Sequence, residues 1–206
     1  MTTTIQTVNT RETTMGHSQA DKAQSRERIL RKAADAVRDT GLESVSVGKL
    51  MRSVDLTHGG FYNHFTSRSD LLAQALERAL VEGGKLATAS IKPGEGPRSY
   101  ETRVKGYLSR AHRDARTEGC AIAALASDVA RADDASRAVM TAHIDALIEE
   151  LSQTLNSHDE GDAMLAVSAM VGAVVLARVQ TDPKQSDLLL KLVRDRLLAL
   201  NKVEQA

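Results

Sequence analysis

The chain has 206 residues, 27 basic and 27 acidic side chains, a single cysteine and no tryptophan. That length buries a core without metal or disulfide staples, and one cysteine rules out an internal disulfide. Zero net charge excludes an electrostatic coat of nucleic acid, while leaving room for a compact reader that makes a few phosphate contacts. No Cys/His cluster has zinc spacing, so no metal or cofactor is expected. The N-terminus lacks the basic and apolar segments of a secretory signal, and the longest nearly apolar run, Ala163 to Ala177, falls short of the roughly 20 residues of a membrane span. A reducing cytoplasm without membrane association is the compartment these features imply.

Residues 1–16 carry seven threonines and little apolar surface, which predicts a loose tail. Ser18-Gln19-Ala20-Asp21 reads as a helix start, and Ile29, Leu30, Ala33, Ala34 and Val37 recur at helical spacing until Thr40-Gly41. A second helix opens at Ser46 with Val47, Leu50, Met51 and Val54 on one side and Lys49 and Arg52 elsewhere, free to meet phosphate. After the turn at Val54-Asp55-Leu56, Thr57 can cap a third helix that begins with His58-Gly59-Gly60. Glycine costs about 1 kcal/mol in a helix relative to alanine. Two adjacent glycines therefore mark either a loop or a place where the backbone approaches DNA closely, with free N–H groups toward a phosphate. Phe61 to Phe65 hold four residues of a kind rare here, three of the chain's five aromatics plus His64. Two short helices joined by a tight turn are the arrangement that places a second helix in the DNA major groove.

Ser67-Arg68-Ser69-Asp70 is another capping-box start, followed by a connector helix with Leu71, Leu72, Ala75, Leu76, Ala79 and Leu80 on one face and Gly83-Gly84 loosening its far end. Lys92 to Pro97 is a loop. Beyond it, one helix is predicted through Tyr100, Val104, Tyr107, Leu108 and Ala111, then helices from Cys120 to Arg131, Ala135 to Leu155, Gly161 to Val179 and Lys184 to Leu200. No strand pattern occurs. The fold class is all-α: an N-terminal three-helix helix-turn-helix domain and a C-terminal helical domain, about nine helices in all, divided as tail 1–16, DNA-binding domain 17–66, and connector with effector and dimerisation domain 67–206.

The stretch Leu56-Thr57-His58-Gly59-Gly60-Phe61-Tyr62-Asn63-His64-Phe65-Thr66-Ser67-Arg68-Ser69-Asp70-Leu71 closely resembles the signature of TetR-type transcriptional regulators, whose recognition helix ends in aromatic-x-His-Phe before a Ser-Lys-type helix start. Gly119 to Asp128 is similar to a segment of a subset of that family. Asp55 stands where such proteins usually have glycine and Arg68 where lysine is usual. Asp tolerates left-handed turn geometry, and Arg keeps the charge.

The resemblance implies a sequence-specific, homodimeric repressor that is not an enzyme, acting on a palindromic or near-palindromic double-stranded operator and released by a small-molecule effector. It implies DNA contact by Thr57, His58, Gly59, Tyr62, Asn63 and His64, with Phe61 and Phe65 packing the helix inward; Ser46, Lys49, Gly60 and Arg68 complete the expected interface. The alternative for Tyr62 is a half-buried aromatic and for His64 a helix cap. Tyr100, Tyr107, His112, Cys120, Met140, His143, Met164 and Met170 are candidate effector-pocket residues, each equally readable as plain core. Val167, Met170, Val171, Val174, Val175, Leu189, Leu192, Val193 and Leu197 form the expected dimer interface, or else complete the subunit core. Cys120, near a helix start, gives an alternative regulator sensing oxidants or electrophiles. More remote are a cysteine-dependent enzyme using His112 or His143 as base, and a purely structural helical dimer.

Overall fold

The computed structural model describes residues 11–88, 99–115, 119–157 and 159–201, and among these there are nine α-helices, one 3₁₀ helix and no strand. Helix α1 spans Arg11–Thr40. It buries Ile29, Ala33, Ala34 and Val37 and stops where Gly41, at φ 84°, donates its N–H to the Val37 carbonyl at 2.9 Å. The helix start expected at Ser18 is not a start, because α1 already runs from Arg11 through part of the expected tail; residues 1–10 lie outside the described residues. Once a helix is nucleated, extending it costs little per residue, so a weak Ser-x-x-Asp cap does not end it.

Helix α2, Val47–Ser53, follows Ser46, which sits in the extended conformation of an N-cap, although its side chain makes no capping bond. The turn after α2 is closed by Leu56 N–H to the Met51 carbonyl at 2.9 Å and Asp55 N–H to that of Arg52 at 3.2 Å. Asp55 takes φ 59° at the position where this motif usually holds glycine, and it is the one non-glycine with positive φ among the described residues. The third helix of the head is a 3₁₀ helix, His58–Asn63, rather than the expected α-helix. Gly59-Gly60 supports regular helix poorly, and the tighter winding starts on Thr57, whose hydroxyl accepts the Gly60 N–H.

Helix α3, Arg68–Thr88, begins with Ser67 Oγ accepting the Asp70 N–H at 3.0 Å. Asp70 does not reach back to Ser67 as a capping box would; one carboxylate oxygen accepts from the Thr66 N–H and hydroxyl. The shorter acid stops one residue away. The helix continues through Gly83 instead of loosening there: a Cβ on Gly83 would lie 2.7 Å from the Gly119 carbonyl, so glycine permits a close crossing. Arg38 of α1 pairs with Glu82 at 2.6 Å, and Arg78 with Glu82 and Glu27, tying α1 to α3.

The expected helix from Tyr100 to Ala111 is two helices, α4 (Tyr100–Tyr107) and α5 (Arg110–Asp114), separated where the Ser109 hydroxyl caps α5 by accepting the His112 N–H at 3.1 Å. The expected loop Lys92 to Pro97 lies outside the described residues. Then come α6 (Ala121–Val129), α7 (Asp134–Ser152), α8 (Glu160–Val179) and α9 (Pro183–Leu200), within a few residues of the sequence periodicity. Two apolar cores result. The first joins α1, α2, the 3₁₀ helix and α3 to Ile122, Leu125 and Val129 of α6 and Met140 of α7. The second joins Tyr100, Val104 and Leu108 to the end of α7 and to α8 and α9.

Candidate nucleic-acid interface

The 3₁₀ helix divides its side chains cleanly. Phe61 and Phe65 are buried and stack with centroids 5.6 Å apart, Phe61 also meeting Tyr62 edge-on at 5.2 Å. Tyr62 itself is 68% exposed, and Thr57, His58, Gly59 and Asn63 lie on the surface with it. Nothing lies within 4 Å of the position a Cβ on Gly59 would take, so no contact inside the chain demands glycine there. Gly60 is half-buried beside the Thr57 hydroxyl. A Cβ on Gly48 would meet the His58 ring at 3.6 Å, an ordinary contact that places α2 beside this element. Ser46 and Lys49 are exposed and, with Lys32 and Arg38 of α1, line an open groove of about 650 Å³ between α1 and α2.

His64 caps the 3₁₀ helix through its N–H to the Phe61 carbonyl at 2.9 Å and is half-buried, with Nδ1 lacking a partner. Burial, joined by the charges of Lys22 and Arg26, holds its imidazole below the ordinary value near 6.5. His64 is thus the helix cap that one of the two expectations describes, and it sits in a cationic corner. Lys22 and Arg26 belong to α1 and were not marked by the sequence, since their proximity to His64 exists only after α1 crosses the head. The Arg26 guanidinium lies 5.0 Å from the Phe65 ring centroid and donates to Gln74.

Arg68 departs from the expected phosphate contact. Its guanidinium donates to the carbonyls of Leu42, Glu43 and Val45, each at 3.3 Å, stapling the start of α3 to the loop before α2. Those three carbonyls lie beyond the end of α1 and need donors, so the rigid fork of an arginine turns inward to supply them.

The expected pocket residues do not converge. Tyr100 is buried in the second core and donates its hydroxyl to the Leu197 carbonyl at 3.2 Å; burial, and secondarily Asp162, push its phenol up to about 12. Met140 belongs to the first core, His143 faces Glu77 at 3.1 Å, Met164 is 57% exposed on α8, and Met170 is buried in the second core. Each sits on a different helix face, which residue type alone does not fix. Tyr107, His112 and Cys120 do meet. The Cys120 N–H donates to His112 Nε2 at 3.0 Å, which makes Nδ1 the protonated nitrogen that donates to the Tyr107 carbonyl at 2.7 Å. Burial lowers the His112 pKa, and Arg178 adds to the shift. The buried Tyr107 hydroxyl faces the Cys120 thiol, and burial first, then Cys120, raises its pKa well above 10. With both nitrogens engaged by backbone groups, His112 is not placed as a base for a cysteine nucleophile.

The expected dimer residues also divide. Val167, Met170, Val174 and Leu197 are buried inside the subunit, whereas Val175 and Leu192 are exposed and Val171, Leu189 and Val193 are intermediate. A single side chain cannot face both core and partner, so the inner four are subunit core. The exposed apolar stripe of α8 is instead Met164, Leu165, Val175, Leu176 and Val179, continued by Leu188 and Leu192 of α9. Its signal was in the sequence as seven-residue spacing from Leu165 through Gly172 to Val179. The segment Gly161–Val179 is long and apolar enough to cross a membrane by length and composition, yet 39% of it is buried against the rest of the chain, fewer positions than an all-round covered helix would have.

Residues 29–75, the reading head just described, match the family model for bacterial regulatory proteins of the tetR family. An uncharacterised HTH-type transcriptional regulator of Mycobacterium tuberculosis is 27% identical over 187 residues, covering 84% of this chain and 94% of its own length. The head of the chain is similar to that of tetR-family regulators. The HTH-type transcriptional repressor NemR of Escherichia coli is 23% identical over 144 residues, 68% of this chain and 71% of NemR. Among solved structures, the reduced form of Escherichia coli NemR superposes with a TM-score of 0.66 at 20% identity, covering 83% of this chain and 96% of that one. A TetR-family regulator from Cytophaga hutchinsonii gives 0.70 at 17% identity, with 87% and 96% covered. The fold of the described residues is that of these TetR-type regulators.

Proposed function

We propose that this chain is a TetR-type transcriptional regulator, a homodimeric repressor whose two heads, residues 17–66, read a palindromic or near-palindromic operator, and whose remaining helices, residues 67–206, dimerise and receive a small-molecule effector in the cytoplasm. The observation that carries the reading is the segregation along the 3₁₀ helix and its flanks: the aromatics split into a buried pair, Phe61 and Phe65, and an exposed Tyr62 surrounded by Thr57, His58, Gly59 and Asn63. Asn63 and His58 are suited to base edges, Tyr62, Ser46 and Lys49 to phosphates. The exposed stripe of α8 and α9 favours a four-helix contact with a second copy, because a soluble chain rarely leaves so long an apolar row uncovered. An effector that binds one spacing of the heads better than the other shifts the dimer, with α3 carrying the change; equal affinity for both states would shift nothing.

The test is fluorescence anisotropy on the DNA flanking the chain's own gene, against scrambled duplex, together with light scattering. The expected result is competitor-resistant binding by a particle of twice the 22.2 kDa chain mass. A monomer at micromolar concentration, or binding equal on both duplexes, would overturn it.

A second reading has its own observation. The Cys120 thiol faces the Tyr107 hydroxyl at the start of α6, whose other end belongs to the head's core. Alkylation or oxidation of Cys120 would wedge that corner apart and loosen the head. Release of DNA by N-ethylmaleimide in the wild type but not in Cys120→Ser supports it; equal release in both removes it.

A further inference from the structure

We propose that Lys22 and Arg26 of α1 form, with the edge of His64, a phosphate clamp that extends the DNA footprint from the 3₁₀ helix onto α1. The inference rests on the DNA-binding reading and deepens it by adding residues of a second element.

The geometry begins with Arg26. Its guanidinium covers the Phe65 ring at 5.0 Å and is steadied by Gln74, so the charge is held beside the last residues of the reading element instead of swinging in solvent. Lys22 stands four residues earlier, on the same face of α1. Both cations lie close enough to His64 to act on its imidazole. Of the nearby acids, Asp70 offsets Arg26 in part, the Thr66 N–H first and the guanidinium in addition holding its carboxyl below the usual carboxylate range. Asp70 accepts from Thr66 and from Gln74, and Glu27 accepts from Arg78. Lys22 is exposed and has no acceptor among the described residues. Two cations of α1 therefore stand beside the His64 imidazole at an exposed edge where Asp70 offsets Arg26 and no acid among the described residues is bonded to Lys22, an arrangement that leaves Lys22 open to a phosphate. The partner this fits is the backbone of duplex DNA seated on the exposed face of Tyr62. The bland alternative is a solvated lysine next to a packing arginine.

The two readings separate by salt dependence. Fluorescence anisotropy is measured from 50 to about 300 mM salt on a labelled duplex of the chain's own flanking DNA and on a scrambled duplex of equal length, for wild type, Lys22→Gln, Arg26→Lys and Arg31→Gln, each checked for an unchanged melting temperature. Arg31 lies nine residues after Lys22, about 180° around α1, and controls for net charge. A clamp requires Lys22→Gln to weaken both duplexes by about tenfold, to lower the logarithmic salt slope by about 0.9, and to leave the ratio between duplexes unchanged, because a phosphate contact carries no base information. Arg26→Lys keeps the slope, while Arg31→Gln leaves affinity and slope at wild-type values. A wild-type slope in Lys22→Gln, or an equal fall in Arg31→Gln, overturns the clamp and leaves the DNA-binding reading standing. Absence of salt-dependent binding to either duplex by the wild type overturns both.

Discussion

The 3₁₀ reading helix and helix α8 each carry apolar side chains that must be divided between core and surface, yet the chain divides them differently. In the first, polar residues interrupt the aromatics, and burial follows the alternation: Phe61 and Phe65 go in, Tyr62 and Asn63 stay out. In α8 nearly every position is apolar, so composition says nothing about which side faces the core. There the orientation is set by neighbours, which bury Val167, Met170 and Val174 and leave Leu165, Leu176 and Val179 outside. A patterned segment fixes its own faces; a uniform one has them fixed by tertiary packing.

The largest effect expected from this contrast is in the head. Phe61 is 1% exposed and underlies the whole reading surface. Phe61→Ala should cost about 3–5 kcal/mol by urea denaturation and take DNA binding with it through unfolding; retention of wild-type stability would mean the head is not built on this pair. On α8, the two faces should respond oppositely. Met170→Ala should lower stability by about 2–5 kcal/mol. Leu176→Glu should instead leave the subunit folded and weaken self-association by about tenfold or more in sedimentation equilibrium. If both variants act on folding alone, the exposed stripe is not an interface.

A smaller effect concerns the turn before the reading helix. Asp55 holds φ 59°, which a β-branched side chain resists, so Asp55→Val should cost about 1–2 kcal/mol while Asp55→Gly is tolerated. The smallest concerns pH. His112 is held neutral by burial, so its folded pKa lies below its unfolded value near 6.5. As pH falls below about 6.5 the unfolded chain takes up a proton that the folded chain refuses, and stability is lost until the folded pKa is reached. His112→Gln should flatten that part of a stability–pH profile, and an unaltered profile would show that His112 does not supply it.

Much of the fold was legible because helix periodicity and caps agree locally. Asp133 and Asp182, for instance, accept backbone N–H groups at the starts of α7 and α9, close to where the apolar pattern begins. The exposed and buried halves of the reading helix were legible for the same reason. What escaped was whatever depends on one helix meeting another. Arg68 spends its charge on three carbonyls that only the folded loop presents. Lys22 and Arg26 acquire meaning only where α1 crosses Phe65 and His64. The break between α4 and α5 had a local sign in Ser109, but an apolar run through Tyr107 and Leu108 masked it. Of the expected pocket residues only Tyr107, His112 and Cys120 meet, because the rest were chosen by type, and type does not say which of two cores a side chain joins.

The most direct test of the reading surface is a hydroxyl-radical footprint of the DNA flanking the chain's own gene, with wild type and Tyr62→Ala compared at matched stability. Two protected half-sites separated by about one helical turn or a multiple of it, present with wild type and lost with Tyr62→Ala, are the expected result. Protection that is unchanged in Tyr62→Ala, or a single half-site at saturating protein, would contradict a dimer that reads DNA through the exposed face of the 3₁₀ helix.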